Sequence, residues 1–249
     1  GGELIRLLLN HPKTEITFAS SRSQNGKEIS SIHTDLIGET NLTFTNKFSP
    51  EIDVLFLCLP HKESKIWLQN NAVSKTTKII DLGNDFRLTK DKVFDGKSFV
   101  YGLPELNKSA IKNAQFIANP GCFATAIQLA LLPLAQKGLL NEVYTTGITG
   151  STGAGQSLQP TTHFTWRNDN ISAYKTLTHQ HVDEILQQLV SFNTNEISLN
   201  FVPWRGDFTR GIYTSSIIDC SFPLEEVVRL YTDYYKDQVF TFLSDTMID

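Results

Sequence analysis

The sequence predicts an α/β protein in two parts, a parallel-sheet domain over residues 1–121 and an α+β domain over residues 122–249. Two observations carry this reading. Through the front half, short apolar runs bounded by turn formers alternate with helical stretches, as buried parallel strands and their crossovers do. Past Cys122 the texture changes, and the expected strands are longer and carry many Thr and Ser.

Taken in order, Glu3 to Asn10 is an apolar helical block that must end near His11 because Pro12 follows. Glu15 to Ala19 reads as a strand. Asp53 to Leu59 and Lys78 to Leu82 are short apolar runs, with helical character between them over His61 to Val73. Phe116 to Ala118 is another such strand, followed by an apolar helix from Cys122 to about Lys137 with Gly138 as its stop signal. Glu142 to Gly150, Ile197 to Val202 and Arg210 to Asp219 are strands by pattern, and Val182 to Val190 and Leu224 to Tyr235 are helices.

Composition narrows the function. With 40% apolar and 19% charged residues and a formal net charge of -4, the chain lacks the basic excess of a nucleic-acid binder, so a small-molecule partner is expected. The longest apolar stretch, Ala124 to Ala135, is broken by Gln128 and Pro133 and is too short for a membrane span, so a cytoplasmic protein is expected. Cys58, Cys122 and Cys220 form no Cys-x-x-Cys pair, which argues against a disulfide framework and a thiolate metal site; no metal is expected.

Gly1-Gly2 directly before a helix and a strand reads by itself as a flexible terminus, and in a dinucleotide fold as the end of a glycine-rich phosphate loop. In a dinucleotide fold the residues after the next strand read the adenosine ribose, where an NAD enzyme places Asp or Glu. Here Ser20-Ser21-Arg22-Ser23 offers a cation among hydroxyls, by itself a polar surface loop, but in a dinucleotide fold a site that suits a 2′-phosphate and favours NADP.

Asn119-Pro120-Gly121-Cys122 sets a thiol at the mouth of a long apolar helix. Backbone N–H groups and the positive end of the helix dipole stabilise a thiolate there, and the same N–H groups suit a developing oxyanion. Cys58, inside an apolar strand, and Cys220, at a strand end, read as inert buried thiols. Further on, His179, His181 and Glu184 form a His-x-His-x-x-Glu string at a helix start. His181 and Glu184 are three residues apart and neighbours on the helix surface, the arrangement in which a carboxylate orients an imidazole. A zinc site built on these groups lacks any supporting motif.

In this order the motifs resemble the N-acetyl-gamma-glutamyl-phosphate reductase family, related to aspartate-semialdehyde dehydrogenase. The matching strings are Gly1-Gly2-Glu3-Leu4-Ile5-Arg6, Ser21-Arg22-Ser23 with Gly26-Lys27, Leu59-Pro60-His61, and Asp81 through Asp85-Phe86-Arg87-Leu88. They continue with Tyr101-Gly102-Leu103-Pro104-Glu105-Leu106, Asn119-Pro120-Gly121-Cys122, the Gly150-Ser151-Thr152-Gly153-Ala154-Gly155 loop, His179 to Glu184, and Val202-Pro203-Trp204-Arg205-Gly206. One departure is Phe123-Ala124-Thr125 where Tyr-Pro-Thr is commoner, which leaves thiol chemistry intact.

The resemblance implies a Rossmann half whose first strand lies before Gly1, a catalytic and oligomer-forming half, and a native chain longer than this one. It also implies NADPH-dependent reduction of an N-acetyl- or N-succinyl-glutamyl phosphate through a thioester on Cys122, with His181 as acid–base, His179 as the alternative, and Glu184 orienting. Arg87, Arg205 and Asn119 are expected at the substrate. Gly1, Ser21, Arg22, Ser23, Pro60, His61, Gly150, Ser151, Gly153 and Gly155 are expected at the cofactor. A small-molecule acyl phosphate and a second copy of the chain are the expected partners. The rival readings are an aspartate-semialdehyde dehydrogenase-like reductase, a cysteine hydrolase needing no nucleotide, and a non-catalytic fragment.

Overall fold

The computed structural model describes residues 1–155, 158–192 and 196–246. The chain forms two compact units, Gly1–Gly83 and Asn84–Asp249. The last three residues of the expected 122–249 domain lie outside the described residues.

The first unit opens with α1 (Gly2–Leu9), which buries Ile5 against Ile29, Leu36 and Phe44. Gly2 lies close under the His33 ring, where a Cβ would be 2.5 Å from His33 Cε1. Next come β1 (Ala19–Ser20) and β2 (Phe44–Thr45), which pair in parallel. The strand expected over Glu15 to Ala19 is thus corrected to two residues: only Ala19 and Ser20 find ladder partners, and β2 is itself no longer. The strand β3 (Val54–Leu57), the helix α2 (Glu63–Asn70) and β4 (Lys78–Asp81) form a parallel crossover, in register from Val54↔Lys78 to Leu57↔Asp81. Leu55 and Leu57 on one face of β3, and Ile79 of β4, are buried, while Val54 is exposed. At its end the Asp81 carboxylate accepts hydrogen bonds from Ser64 Oγ (2.6 Å) and Gly83 N–H (3.1 Å), fixing the start of α2.

In the second unit, after a short antiparallel pair of Val93–Phe94 with Lys97–Ser98, β5 (Val100–Tyr101), α3 (Pro104–Asn113) and β6 (Phe116–Ala118) again make a parallel pair joined by a helix. The helix α4 (Cys122–Gln136) leads into β7 (Glu142–Thr149), β8 (Ser172–Ala173), α5 (His181–Leu189), β9 (Ser198–Arg205), β10 (Ile212–Ile218) and α6 (Leu224–Tyr235). The strands form a mixed sheet in the order β8-β9-β7-β10, with β7 and β9 parallel and the edge strands antiparallel. Burial along β7 alternates strictly at first: Val143 and Thr145 face inward, Tyr144 and Thr146 outward. The core packs Phe123, Ile127 and Leu131 of α4 with Ile185 and Leu189 of α5 and Phe201 of β9.

Pro133 sits inside α4, where it removes the N–H that the Leu129 carbonyl needs. Tyr235 Oη donates to that carbonyl at 2.5 Å, and Tyr231 Oη donates to the Ala130 carbonyl. The Tyr235 phenol of α6 therefore replaces the hydrogen bond that proline removes, and Tyr231 adds a second anchor to the same helix. Tyr235→Phe is expected to lower stability by about 1–3 kcal/mol, the usual cost of leaving a buried acceptor unpaired. Denaturant unfolding measures it, and an unchanged midpoint would refute the repair.

Among the described residues no helix is long and apolar enough to cross a membrane, and no group of three or more His, Cys, Asp or Glu side chains could hold a metal ion.

Candidate active site

Cys122 is the first residue of α4, with Gly121 as the N-cap in extended conformation and no side chain capping the helix. The helix starts at this point because the Gly121 carbonyl accepts from both Thr125 N–H (2.8 Å) and Thr125 Oγ1 (3.0 Å). Proline at 120 disfavours helix in the residue before it. The Cys122 thiol is exposed while Gly121, Phe123 and Ala124 around it are buried. Cys58 and Cys220 are exposed too, which corrects the expectation that both are buried: β3 ends at Leu57, one residue before Cys58, and Cys220 follows the end of β10 in a connecting turn. Exposure does not separate the three thiols, but only Cys122 stands at the start of a long helix.

The helix α5 brings His181 and Glu184 to this turn. The His181 ring lies directly on the Gly121 Cα, so closely that a Cβ there would sit 2.4 Å from His181 Nε2. Glu184 is buried, and its carboxylate does more than the sequence implied. Oε1 accepts from Gly121 N–H at 2.7 Å and from Tyr101 Oη at 2.8 Å. Oε2 lies 3.5 Å from Arg87 Nη1 and 3.9 Å from His181 Nε2. The Glu184 carboxylate thus grips the backbone just before the thiol, with His181 at longer range.

Arg87 and Asn119 belong to the same assembly. Arg87 is buried and donates from Nε to the Asn119 carbonyl at 2.8 Å, while its own carbonyl accepts from Gln187 Nε2 at 2.7 Å. That engagement supports a role in holding the turn. Two residues given no role in the sequence reading complete it. Tyr101 and Gln128 hydrogen-bond each other, and Gln128 Nε2 donates to the Glu184 carbonyl at 3.2 Å. Burial, then the Glu184 carboxylate, pushes the Tyr101 phenol up, so it stays a donor. The signal for Gln128 was present: it is a polar residue on an otherwise apolar helix and is fully buried.

His179 packs edge-on against Phe123, Tyr174, His181 and Phe201. Burial, then the neighbouring His181 and Lys175, lowers its pKa to about 4, which leaves it neutral at pH 7. Its Nδ1 accepts from the His181 backbone N–H at 3.2 Å, so the proton of the neutral ring is on Nε2. Tyr174, a further residue the sequence reading missed, carries the Arg205 guanidinium 4.8 Å over its ring, and burial pushes its phenol up. Arg205 Nη1 also donates to Thr161 Oγ1 at 3.0 Å.

In the first unit, the expected cofactor residues stand on turns at strand and helix ends. Gly1 is the N-cap of α1. Ser21, Arg22 and Ser23 follow β1, and Ser21 Oγ accepts from Gln24 N–H at 3.3 Å. The Arg22 side chain is 86% exposed, with Glu63 at 3.9 Å, and so projects into solvent with capacity for an anion. Pro60 and His61 are exposed just past the C-terminal end of β3, the end at which ligands meet parallel sheets. These features fit a nucleotide. In the second unit, Gly150 has a packing reason to be glycine, because a Cβ would lie 2.7 Å from the Thr209 carbonyl oxygen. Ser151 and Gly153 lie in a 3₁₀ turn, and Gly155 ends it with φ +76°.

Residues 1–114 match the family described as semialdehyde dehydrogenase, NAD binding domain, and residues 122–248 match semialdehyde dehydrogenase, dimerisation domain. The chain is 55% identical over 248 residues to the N-acetyl-gamma-glutamyl-phosphate reductase of Christiangramia forsetii, covering 98% of this chain and 75% of that protein. It is 51% identical over 250 residues to the protein of the same name from Flavobacterium johnsoniae, covering 100% of this chain and 77% of the other. Among solved structures, aspartate semialdehyde dehydrogenase II from Vibrio cholerae is similar with a TM-score of 0.68 at 17% identity, over 92% of this chain and 74% of that one. At that identity the likeness shows the fold.

Proposed function

Because the chain belongs to the N-acetyl-gamma-glutamyl-phosphate reductase family of semialdehyde dehydrogenases, we propose that it reduces an N-acyl-gamma-glutamyl phosphate to its semialdehyde with NADPH, as a step of arginine biosynthesis. The observation that carries the reading is the exposed Cys122 thiol at the start of α4, with the His181 ring packed on the residue before it. The Cys122 thiolate bonds the acyl carbon, the carbon–oxygen bond to phosphate breaks, and a thioester remains as phosphate leaves. Backbone N–H groups at the helix start stabilise the oxyanion of that step. Bound NADPH supplies the hydride. His181 holds the proton that moves when the carbon–sulfur bond of the thiohemiacetal breaks, releasing the aldehyde and the thiolate. His179, neutral and engaged through Nδ1, is the weaker candidate for that proton. Glu184 and Arg87 hold the turn, and Arg205 is the cation offered to the substrate's anionic groups.

Gly1, Ser21 to Ser23, Pro60 and His61 would hold the nucleotide in the first unit. Arg22→Asp is expected to weaken NADP binding by tenfold or more while leaving NAD nearly unchanged, since it sets a carboxylate against the 2′-phosphate. Equal losses in calorimetric titrations with the two nucleotides would remove Arg22 from the site. A cytoplasmic homo-oligomer is part of the same proposal, supported by the exposed Tyr144, Tyr213 and Ile217 on β7 and β10. The reverse reaction tests the activity: NADPH should form from NADP only when an N-acyl-glutamate semialdehyde and inorganic phosphate are both present, with acetyl and succinyl forms compared. Turnover independent of phosphate, or a preference for aspartate semialdehyde, would overturn the reading.

A further inference from the structure

Beyond the ends of β7 and β9, the second unit holds a cavity of about 330 Å³ whose lining includes Ser151, Thr162, Arg167, Asn168, Asp207 and Thr209. Arg167 closes a short helical turn, Phe164–Arg167, and is only 5% exposed. Its Nη2 donates to the Asn170 carbonyl, but among the described residues the buried Nε and Nη1 have no hydrogen-bond partner. Asp207 is not that partner; its Oδ2 accepts from Asp169 N–H at 2.7 Å.

A buried Lys or Glu can escape such a position by becoming neutral, whereas guanidinium remains charged at any pH a protein meets. A buried cation left without an anion is strongly disfavoured, and its unused N–H donors match the acceptors of a carboxylate or a phosphate. The cavity's neighbours point the same way. Ser151, which lines the cavity, begins the 3₁₀ turn of the glycine-rich loop, and Thr161, next in sequence to the lining Thr162, accepts from Arg205.

We infer that this cavity is an oxyanion-binding site, with Arg167 as its cation, that takes a carboxylate or phosphate group of a bound small molecule. The choice of probes rests on the reductase reading, because it supplies three sources of that group: a phosphate, a nucleotide, or a carboxylate on the N-acyl substituent.

The test compares the purified wild-type protein with Arg167→Met, which keeps much of the side-chain length and removes the charge. Binding is titrated with inorganic phosphate, NADPH, N-acetylglutamate and N-succinylglutamate. At least one probe should bind the Met variant about 10- to 100-fold more weakly, the range for a hydrogen bond to a charged group, with the rest within twofold. Loss of phosphate alone assigns a free or acyl phosphate, loss of NADPH a nucleotide phosphate, and loss of N-succinylglutamate alone the acyl carboxylate. Without ligand, the Met variant should unfold at the wild-type temperature or above, since an unanswered buried charge has been removed.

Unchanged affinity for every probe overturns the site, as does a lower unfolding temperature with binding intact, which would make Arg167 a structural residue. Dissociation of an oligomer in the Met variant alone also overturns it, assigning the anion to a second copy of the chain. Should the Met variant fail to fold, Arg167→Lys, which keeps the charge and loses the planar fork, carries the test with an expected weakening of at least threefold; unchanged affinity overturns the site. A protein with no reductase turnover but Arg167-dependent phosphate binding would keep the site and lose the reductase reading. Normal turnover with no effect of Arg167 would do the reverse.

Discussion

Cys122→Ser is expected to abolish acyl-phosphate reduction while leaving nucleotide affinity within about twofold of wild type, because the thiol belongs to the second unit and the Ser20 to Ser23 turn to the first. At position 122 the side chain is exposed at the first turn of α4, where unpaired backbone N–H groups can hold a developing oxyanion. A serine hydroxyl ionises far less readily, and the ester it would form is a poorer hydride acceptor than a thioester. Since Cys58 and Cys220 are exposed as well, labelling by a limiting alkylating reagent tests activation rather than access. Cys122 should be labelled first, and substrate should protect it. Mass spectrometry of protein mixed with acyl phosphate and no NADPH should find the acyl group on the peptide carrying Cys122. An adduct elsewhere, or turnover in the Ser variant, would end the proposal of covalent catalysis through this thiol.

The elements whose signals are local were legible in the sequence. Phe116–Ala118 and Leu224–Tyr235 fall where apolar pattern and turn formers put them, and Cys122–Gln136 begins at the residue expected. The helix Pro104–Asn113 was passed over although Pro104 at its first turn is a start signal; it buries none of its residues, so it carries no strong apolar stripe. The Glu15 to Ala19 strand failed for the opposite reason, because local pattern was adequate and the ladder partner was not. For the site, spacing placed His181 and Glu184 on one helical face, and they are neighbours. Spacing did not show that Glu184 grips Gly121 and Tyr101, since those contacts join residues 63 and 83 positions apart. Arg87 illustrates the limit: its motif suggests a substrate ligand, and only the fold shows that Glu184 and the Asn119 carbonyl stand beside it.

Gly121→Ala is expected to lower turnover about a hundredfold or more, although the backbone accepts alanine there. Its φ of −69° and ψ of 153° are ordinary extended values, so no conformational strain arises. The obstacle is the His181 ring, with Nε2, Cε1 and Cδ2 at 2.4, 2.7 and 2.8 Å from the added Cβ. That ring has little room to retreat. It is buried, with His179 at 4.7 Å between ring centroids and Glu184 on the same helix. Overpacking of this kind costs about 1–3 kcal/mol, which a folded protein can tolerate, whereas a shift of about 1 Å in an acid–base group costs roughly a hundredfold in rate. The Gly121 N–H bond to Glu184 survives in the variant, so the turn itself should stay in place. If displacement of His181 is the cause, then adding His181→Asn to Gly121→Ala should cost little beyond the larger single loss, because both changes remove one function. Fully multiplicative losses, or wild-type turnover in Gly121→Ala, would show that the close approach of His181 to this turn does not serve the reaction.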